Sequence, residues 1–346
     1  MLTDIRLIFW ETTRACNLGC PHCRASATTE PSPEDLTTDE VKKFMEQAAT
    51  FSRPILVFSG GEPILRNDLY ELLSYANKLG LKPALATNAT LISEEIAYKL
   101  KDNGLSLASV SIYGANAESH DSFCGLNGAF EKTLKGINNL KKAKVNVQIN
   151  TTISKKNLKE LEVIGDFALK IGAVAYHTFF LVPTGRGRYI EDDEISSQEY
   201  EKAFNRLYDY QKVFPLRIKA TCAPHYYRIL HMKEAKTNER SDNEKSRGKG
   251  CLAGQGVCFI SHKGEVFGCG YLPIIAGNIR KQDFRDIWFK SELFITLRDN
   301  SRLQGKCGVC EFKDVCGGCR ARAYAATGNY LEEDTKCAYQ PLTKRF

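Results

Sequence analysis

Thirteen cysteines in 346 residues are where this sequence can do chemistry. Cys16, Cys20 and Cys23 fall in one short stretch, C-N-L-G-C-P-H-C. Iron–sulfur clusters normally take four thiolates. Three in one loop cap three irons of a cubane and leave the fourth iron open to a substrate or cofactor. Zinc is the alternative, with His22 as a further ligand. Eight more cysteines lie late in the chain: Cys251, Cys258, Cys269, then Cys307-x2-Cys310-x5-Cys316-x2-Cys319, and Cys337. Eight suffice for two fully ligated cubanes, although paired C-x2-C units also suit a zinc ribbon. Cys124 and Cys222 remain over and read as small buried hydrophobes.

The background favours clusters over disulfides. Hydrophobic residues make up 43% and charged residues 26%, with a net charge of +7, the balance of a soluble globular protein. The longest apolar runs, such as 55–58 and 179–182, fall far short of the ~18–20 residues of a bilayer helix. The first ten residues carry Asp4 and Arg6 and lack the apolar core of a signal peptide. A cytoplasmic location follows, where disulfides are rare. No Lys/Arg stripe interleaved with aromatics points to nucleic acid.

These thiols need elements to position them. Candidate strands are 7–11, 55–59, 83–87, 107–113, 145–152 and 174–182, several of them continuous apolar runs as in buried parallel sheets. Helical periodicity marks 38–51, 68–79, 93–103, 129–143, 157–171 and 197–213. Thr38 and Ser93, each with acids just after, read as helix starts, and Gly80, Gly104 and Gly172 as caps. Six strand–helix units argue for an α/β fold with a partial (β/α)6 parallel barrel, since a complete eightfold barrel takes ~250 residues. The barrel is assigned to residues 1–215. A connecting segment, 216–250, includes the polar stretch 233–249, read as a mobile loop. A small cysteine-rich, cluster-binding domain, 251–346, follows.

The C-x3-C-x2-C after the first strand resembles the signature of radical S-adenosylmethionine (radical SAM) enzymes. Three further stretches match that family in order. Gly60, Gly61, Glu62 and Pro63 follow strand two; Thr87-Asn88 and Ser111 end strands three and four; Asn150, Thr151 and Thr152 close strand five. The resemblance implies a SAM-binding [4Fe–4S] cluster on Cys16, Cys20 and Cys23. SAM is then co-substrate and source of a 5′-deoxyadenosyl radical. It places His22 near adenine and the GGEP segment at the methionine amino group, where glycines admit close backbone approach and a carboxylate pairs an ammonium. Asn88, Ser111, Asn150 and Thr152 fall around ribose and carboxylate. Ser111-Ile112-Tyr113-Gly114 departs from the frequent Ser-x-Asp-Gly.

The late cysteines, with Gly264-x4-Cys269, resemble the SPASM extension of such enzymes, which carries one or two auxiliary [4Fe–4S] clusters. By analogy Cys251, Cys258, Cys269 and Cys319 hold the nearer one and Cys307, Cys310, Cys316 and Cys337 the farther. The C-x2-C closing the block is one residue shorter than usual.

Four segments carry a closer likeness: 10–27, 181–188, 219–229 and 305–324, with the closing CAYQP. They resemble the haem-biosynthesis branch of the family. The resemblance implies oxidative decarboxylation of two propionates of Fe-coproporphyrin III to vinyl groups, giving haem b. Sibling reactions are deacetylation of 12,18-didecarboxysirohaem and haem d1 propionate processing. A ferredoxin or flavodoxin is the implied low-potential donor. Four carboxylates call for Arg and Lys: Arg186 and Arg188 after strand six, Arg24, Arg320 and Arg322, with His225 or His177 for the iron or a propionate. A SPASM peptide-modifying enzyme is a further alternative. It is disfavoured because the chain starts only fifteen residues before Cys16, without room for a docking module.

Overall fold

The computed structural model describes residues 4–237 and 249–342. Its frame is one ten-stranded sheet. Its first seven strands run parallel: β1 (Leu7–Glu11), β2 (Ile55–Ser59), β3 (Lys82–Thr87), β4 (Leu107–Ser111), β5 (Asn146–Ile153), β6 (Ala175–Phe180) and β7 (Arg217–Thr221). Helices α1 (Thr38–Ala49), α2 (Leu69–Lys78), α3 (Glu94–Asp102), α4 (Ala117–Cys124), α5 (Ala129–Lys142), α6 (Leu161–Lys170) and α7 (Ser197–Val213) connect them, and α8 (His225–Thr237) follows β7. Strand β5 shows why the sheet curls around an interior. Val147, Ile149, Thr151 and Ile153 are buried, while Gln148, Asn150 and Thr152 alternate with them, half-exposed on the other face.

Local chemistry sets the ends. The first helix starts at Thr38 as expected and is capped by Thr37, whose hydroxyl and Glu40 form a reciprocal capping box. Ser93 accepts from Ile96 N as expected. Gly80, Gly104 and Gly172 all take positive φ just past helix ends.

The segment 216–250 is more than a connection. It contributes β7 and α8, and β7 lies parallel to β6. Its Arg217 and Lys219 break the apolar run that would mark a buried strand. Of the expected mobile loop, Lys233 to Thr237 belong to α8, and residues 238–248 lie outside the described residues. The cysteine-rich region is joined to the barrel sheet. Strand β8 (Val257–Ile260) pairs parallel to β1, β9 (Glu265–Phe267) pairs antiparallel to β8, and β10 (Ile275–Asn278) antiparallel to β9. Four short helices follow: α9 (Phe284–Lys290), α10 (Glu292–Arg298), α11 (Gly305–Val309) and α12 (Arg320–Thr327). All thirteen cysteines are free thiols. No helix among the described residues is long and apolar enough to cross a membrane.

Candidate functional site: three thiols, a polar barrel lining and a second thiol nest

The loop after β1 is stitched to its surroundings by main-chain bonds. Cys16 N donates to Thr28 O (2.7 Å) and Thr28 N to Arg14 O (3.0 Å), closing the loop at its base. Gly61 N donates to Thr13 O (2.8 Å) and Glu62 N to Ala15 O (2.7 Å), which continues the β1–β2 pairing beyond the strands. A Cβ on Gly61 would lie 2.0 Å from Ala15 O, and one on Gly60, at φ +129°, 2.7 Å from Thr13 O. These glycines are therefore required by the approach of the chain's own cysteine loop, a constraint the sequence reading assigned to the ligand.

Glu62 also differs from its expected role. It is fully buried. Its carboxylate accepts from Thr87 Oγ1 (2.7 Å), Asn88 N (2.8 Å) and Ile64 N (3.4 Å), so it ties β2 to β3 instead of meeting an ammonium. Burial pushes its pKa up to about 7. Pro63 opens the short turn that Glu62 caps. Asn88 reaches the loop directly: its Nδ2 donates to Asn17 Oδ1 (2.9 Å) and lies 3.9 Å from Cys16 Sγ.

The sulfurs of Cys20 and Cys23 act electrostatically on Cys16. Among the described residues no three His, Cys, Asp or Glu side chains converge on one ion's position. His22 packs edge-on against Tyr113 and Phe123, each at 4.6 Å, with Nδ1 buried and unpartnered. The thiol donor set, with His22 turned into an aromatic contact, fits a cubane and not a tetrahedral zinc.

The arginines expected at substrate are engaged elsewhere. Arg186 clamps the cysteine loop: Nε donates to Cys20 O (3.0 Å), Nη1 to Ala27 O (2.7 Å), and its N to Cys23 O (2.9 Å). Arg188 is exposed and bonds its own loop at Gly185 O (2.9 Å). Arg24 stacks 4.2 Å over Phe259 and reaches Glu11. Arg322 is buried between Glu194 (2.8 Å) and Asp334 (3.0 Å), and Arg320 donates to Tyr330 O and Glu332 O. His225 is buried as well, 2.8 Å from Asp334, so it braces the cysteine-rich region and does not face a substrate. Asp334 is matched by Arg322 at this brace because a lone buried charge is costly.

The barrel interior instead presents a polar row. Sheet register aligns Ser111, Asn150, His177 and Lys219 across β4 to β7. One layer below, Gln148 Nε2 donates to Asn150 Oδ1 (2.7 Å) and Ser109 Oγ (3.2 Å) and lies 3.0 Å from His177 Nδ1. Burial, then Lys219 and Arg217, push His177 down to about 3. Burial, Arg217 and Arg6 likewise lower Lys219. Thr152 sits one layer above, aligned with Phe179 and Thr221.

The late cysteines form two groups. Cys307, Cys310, Cys316 and Cys337 line one cavity with His225, Arg228 and Tyr339. The other group departs from expectation. The thiol of Cys222, at the end of β7, is pushed up by burial and then by the sulfurs of Cys319, Cys269 and Cys251. Cys269 is acted on by Cys251 and Cys319, and Cys319 by Cys251, so every pair among these four interacts. Arg322 Nη2 holds Cys222 O at 2.8 Å, and residue 250 wedges between Pro224 and Cys316. Cys258 stands apart inside β8, fully buried, where burial alone raises it and Arg298 opposes. Cys222 was missed because it lies far in sequence from the others.

Comparison with known proteins agrees with this architecture. A radical SAM superfamily profile matches residues 10–168, and an iron–sulfur cluster-binding domain of the SPASM type matches 251–319. The chain is 53% identical to a Methanosarcina barkeri protein named AdoMet-dependent heme synthase, over 98% of each chain. It is 33% identical to a Fe-coproporphyrin III synthase of the same organism, over 96% of this chain and 87% of the other. The crystal structure of Streptococcus suis SuiB bound to its precursor peptide SuiA superposes with a TM-score of 0.75 at 18% identity, covering 97% of this chain and 76% of that one; it shares the fold.

Proposed function

The chain belongs to the haem-biosynthesis branch of the radical SAM enzymes, and from that premise we propose that it converts two propionates of Fe-coproporphyrin III to vinyl groups, giving haem b. It is an oxidoreductase carrying [4Fe–4S] clusters and using SAM. The observation that carries the substrate reading is full-length similarity to a protein named for haem synthesis. A cubane on Cys16, Cys20 and Cys23 supplies, with SAM, the 5′-deoxyadenosyl radical.

The chain's own residues do the rest. Gly60, Gly61 and Arg186 fix the loop, so that the open side of the three thiols faces one direction. The row of Ser111, Asn150, His177 and Lys219 lines the space below, and Lys219 offers a cation to a propionate carboxylate. At each propionate the β-carbon gives up a hydrogen atom, the carboxylate leaves as CO2, and the one electron left over needs an acceptor, for which an auxiliary cluster held by the late cysteines would serve. We assign Cys222, Cys251, Cys269 and Cys319 to one auxiliary cluster and Cys307, Cys310, Cys316 and Cys337 to another. The same reading places the reaction in the cytoplasm with a small ferredoxin or flavodoxin as donor.

Anaerobically reconstituted enzyme, given reductant, SAM and Fe-coproporphyrin III, is expected to form haem b with two deoxyadenosines per porphyrin. Deoxyadenosine without porphyrin turnover would overturn the substrate and leave the radical chemistry standing.

A further inference from the structure

Beside the three-thiol loop lies a fourth cysteine that no role above uses. Cys124 ends α4, is 1% exposed, and packs with Leu18 and Ala129 against Cys16, Cys20 and Tyr113. Its thiol neighbours the Cys20 sulfur, and the two groups act on each other. On its other side Cys124 Sγ lies 3.3 Å from His120 Nε2. His120 Nδ1 accepts from Tyr113 N at 3.2 Å.

That last contact fixes the direction of the whole chain of bonds. A backbone N–H only donates, so Nδ1 carries no proton, and the neutral ring holds its proton on Nε2. Burial keeps His120 neutral by pushing its pKa down to about 4. Nε2–H then donates to Cys124 Sγ, whose own S–H is left to donate to Cys20. A cluster-ligating thiolate at Cys20 has acceptor capacity alone, so the polarity fits at every link. The relay is held rigidly. Asp121, one residue along α4, accepts from Gly128 N (2.6 Å) and Phe130 N (2.7 Å) and locks α4 to α5.

We propose that Tyr113 N–H, His120 and Cys124 form a hydrogen-bond relay ending on Cys20, which stabilises the reduced form of the SAM-binding cluster. Reduction adds one electron to the cluster; a donor at a ligand sulfur stabilises the added charge and raises the reduction potential. Cys124 is here a positioning residue and not an iron ligand.

The test is an EPR-monitored redox titration of the full-length holoenzyme, in which the signal that SAM perturbs identifies the three-thiol cluster. Cys124→Ala is expected to lower the reduced fraction at a fixed potential about tenfold, a shift of about 59 mV for one electron, with iron content unchanged. Cys124→Ser keeps a hydroxyl donor and is expected to titrate at or above the parent potential. An unchanged potential in Cys124→Ala overturns the proposal, as does Cys124→Ser titrating below the parent. Loss of about four irons from Cys124→Ala, with Cys124→Ser retaining them at a lowered potential, overturns it too. Should Cys124→Ala fail to fold, the Cys124→Ser titration decides alone.

Discussion

The two thiol-rich regions are held together in opposite ways. The Cys16–Cys20–Cys23 loop is fixed by main-chain bonds to Thr28, Gly61, Glu62 and Arg186. Its ligands are contiguous, so their geometry is local. The auxiliary nest draws Cys222 from the end of β7 and the rest from three later segments. It is braced by buried charge: Arg322 with Glu194 and Asp334, Asp334 with His225, and Lys336 with Glu194 (3.1 Å). A contiguous site needs close backbone packing, whereas an assembled one needs long-range struts.

The sharpest way to break this comparison is to remove the contiguous site. Alanine at Cys16, Cys20 and Cys23 together is expected to abolish deoxyadenosine formation while the auxiliary iron stays bound. Residual SAM cleavage above background would refute the site. Next in size is the assembled nest. Cys222→Ala is expected to lose one cluster, about four irons, and Cys258→Ala none; the reverse outcome in iron and sulfide analysis would restore the spacing-based partition.

That contrast also explains what could be read from sequence. Cys16, Cys20 and Cys23, the six strands and the apolar helix faces were legible because each depends on residues close in the chain. The roles of Gly61 and Glu62 were not, since the atoms they meet, Ala15 O in the cysteine loop and Thr87 Oγ1 at the end of β3, are distant in the chain. Arg186, Arg322 and His225 looked like substrate residues because charge and position were visible and partners were not. Strand β7 was masked by Arg217 and Lys219, and with it the place of Cys222. Lys219, aligned with His177 by register alone, carried no local signal.

Two smaller changes test strut and lining. Asp334→Asn leaves Arg322 and His225 facing a neutral side chain. Breaking a buried pair typically costs about 3–5 kcal/mol, read as a lower thermal midpoint in anaerobic holoenzyme. A change under about 1 kcal/mol would show the brace to be dispensable. Lys219→Met is expected to weaken Fe-coproporphyrin III binding roughly tenfold, the worth of one charge-assisted hydrogen bond. SAM cleavage without porphyrin is expected to continue. Unaltered porphyrin affinity would remove Lys219 from the site.

The last prediction sets two buried acids against each other. Glu62 beside the contiguous site has its pKa raised from 4.5 to about 7 by burial. As pH climbs between those values the unfolded chain gives up this proton before the folded one does. Stability contributed by Glu62 therefore falls with rising pH, by at most about 1.4 kcal/mol per pH unit. Asp334 in the strut has the opposite sign. Burial opposes its charge, but Arg322 and His225 hold it well below the usual carboxylate range. Its contribution is present above the ordinary carboxylate pKa and is lost as pH falls. Urea midpoints of anaerobic holoenzyme between pH 5 and 7, scales set by these shifts, separate the two. Glu62→Gln is expected to flatten the decline across that window, and Asp334→Asn to leave it in place. If Glu62→Gln keeps the parent's slope, the buried carboxyl at the end of β2 is not the group that titrates there.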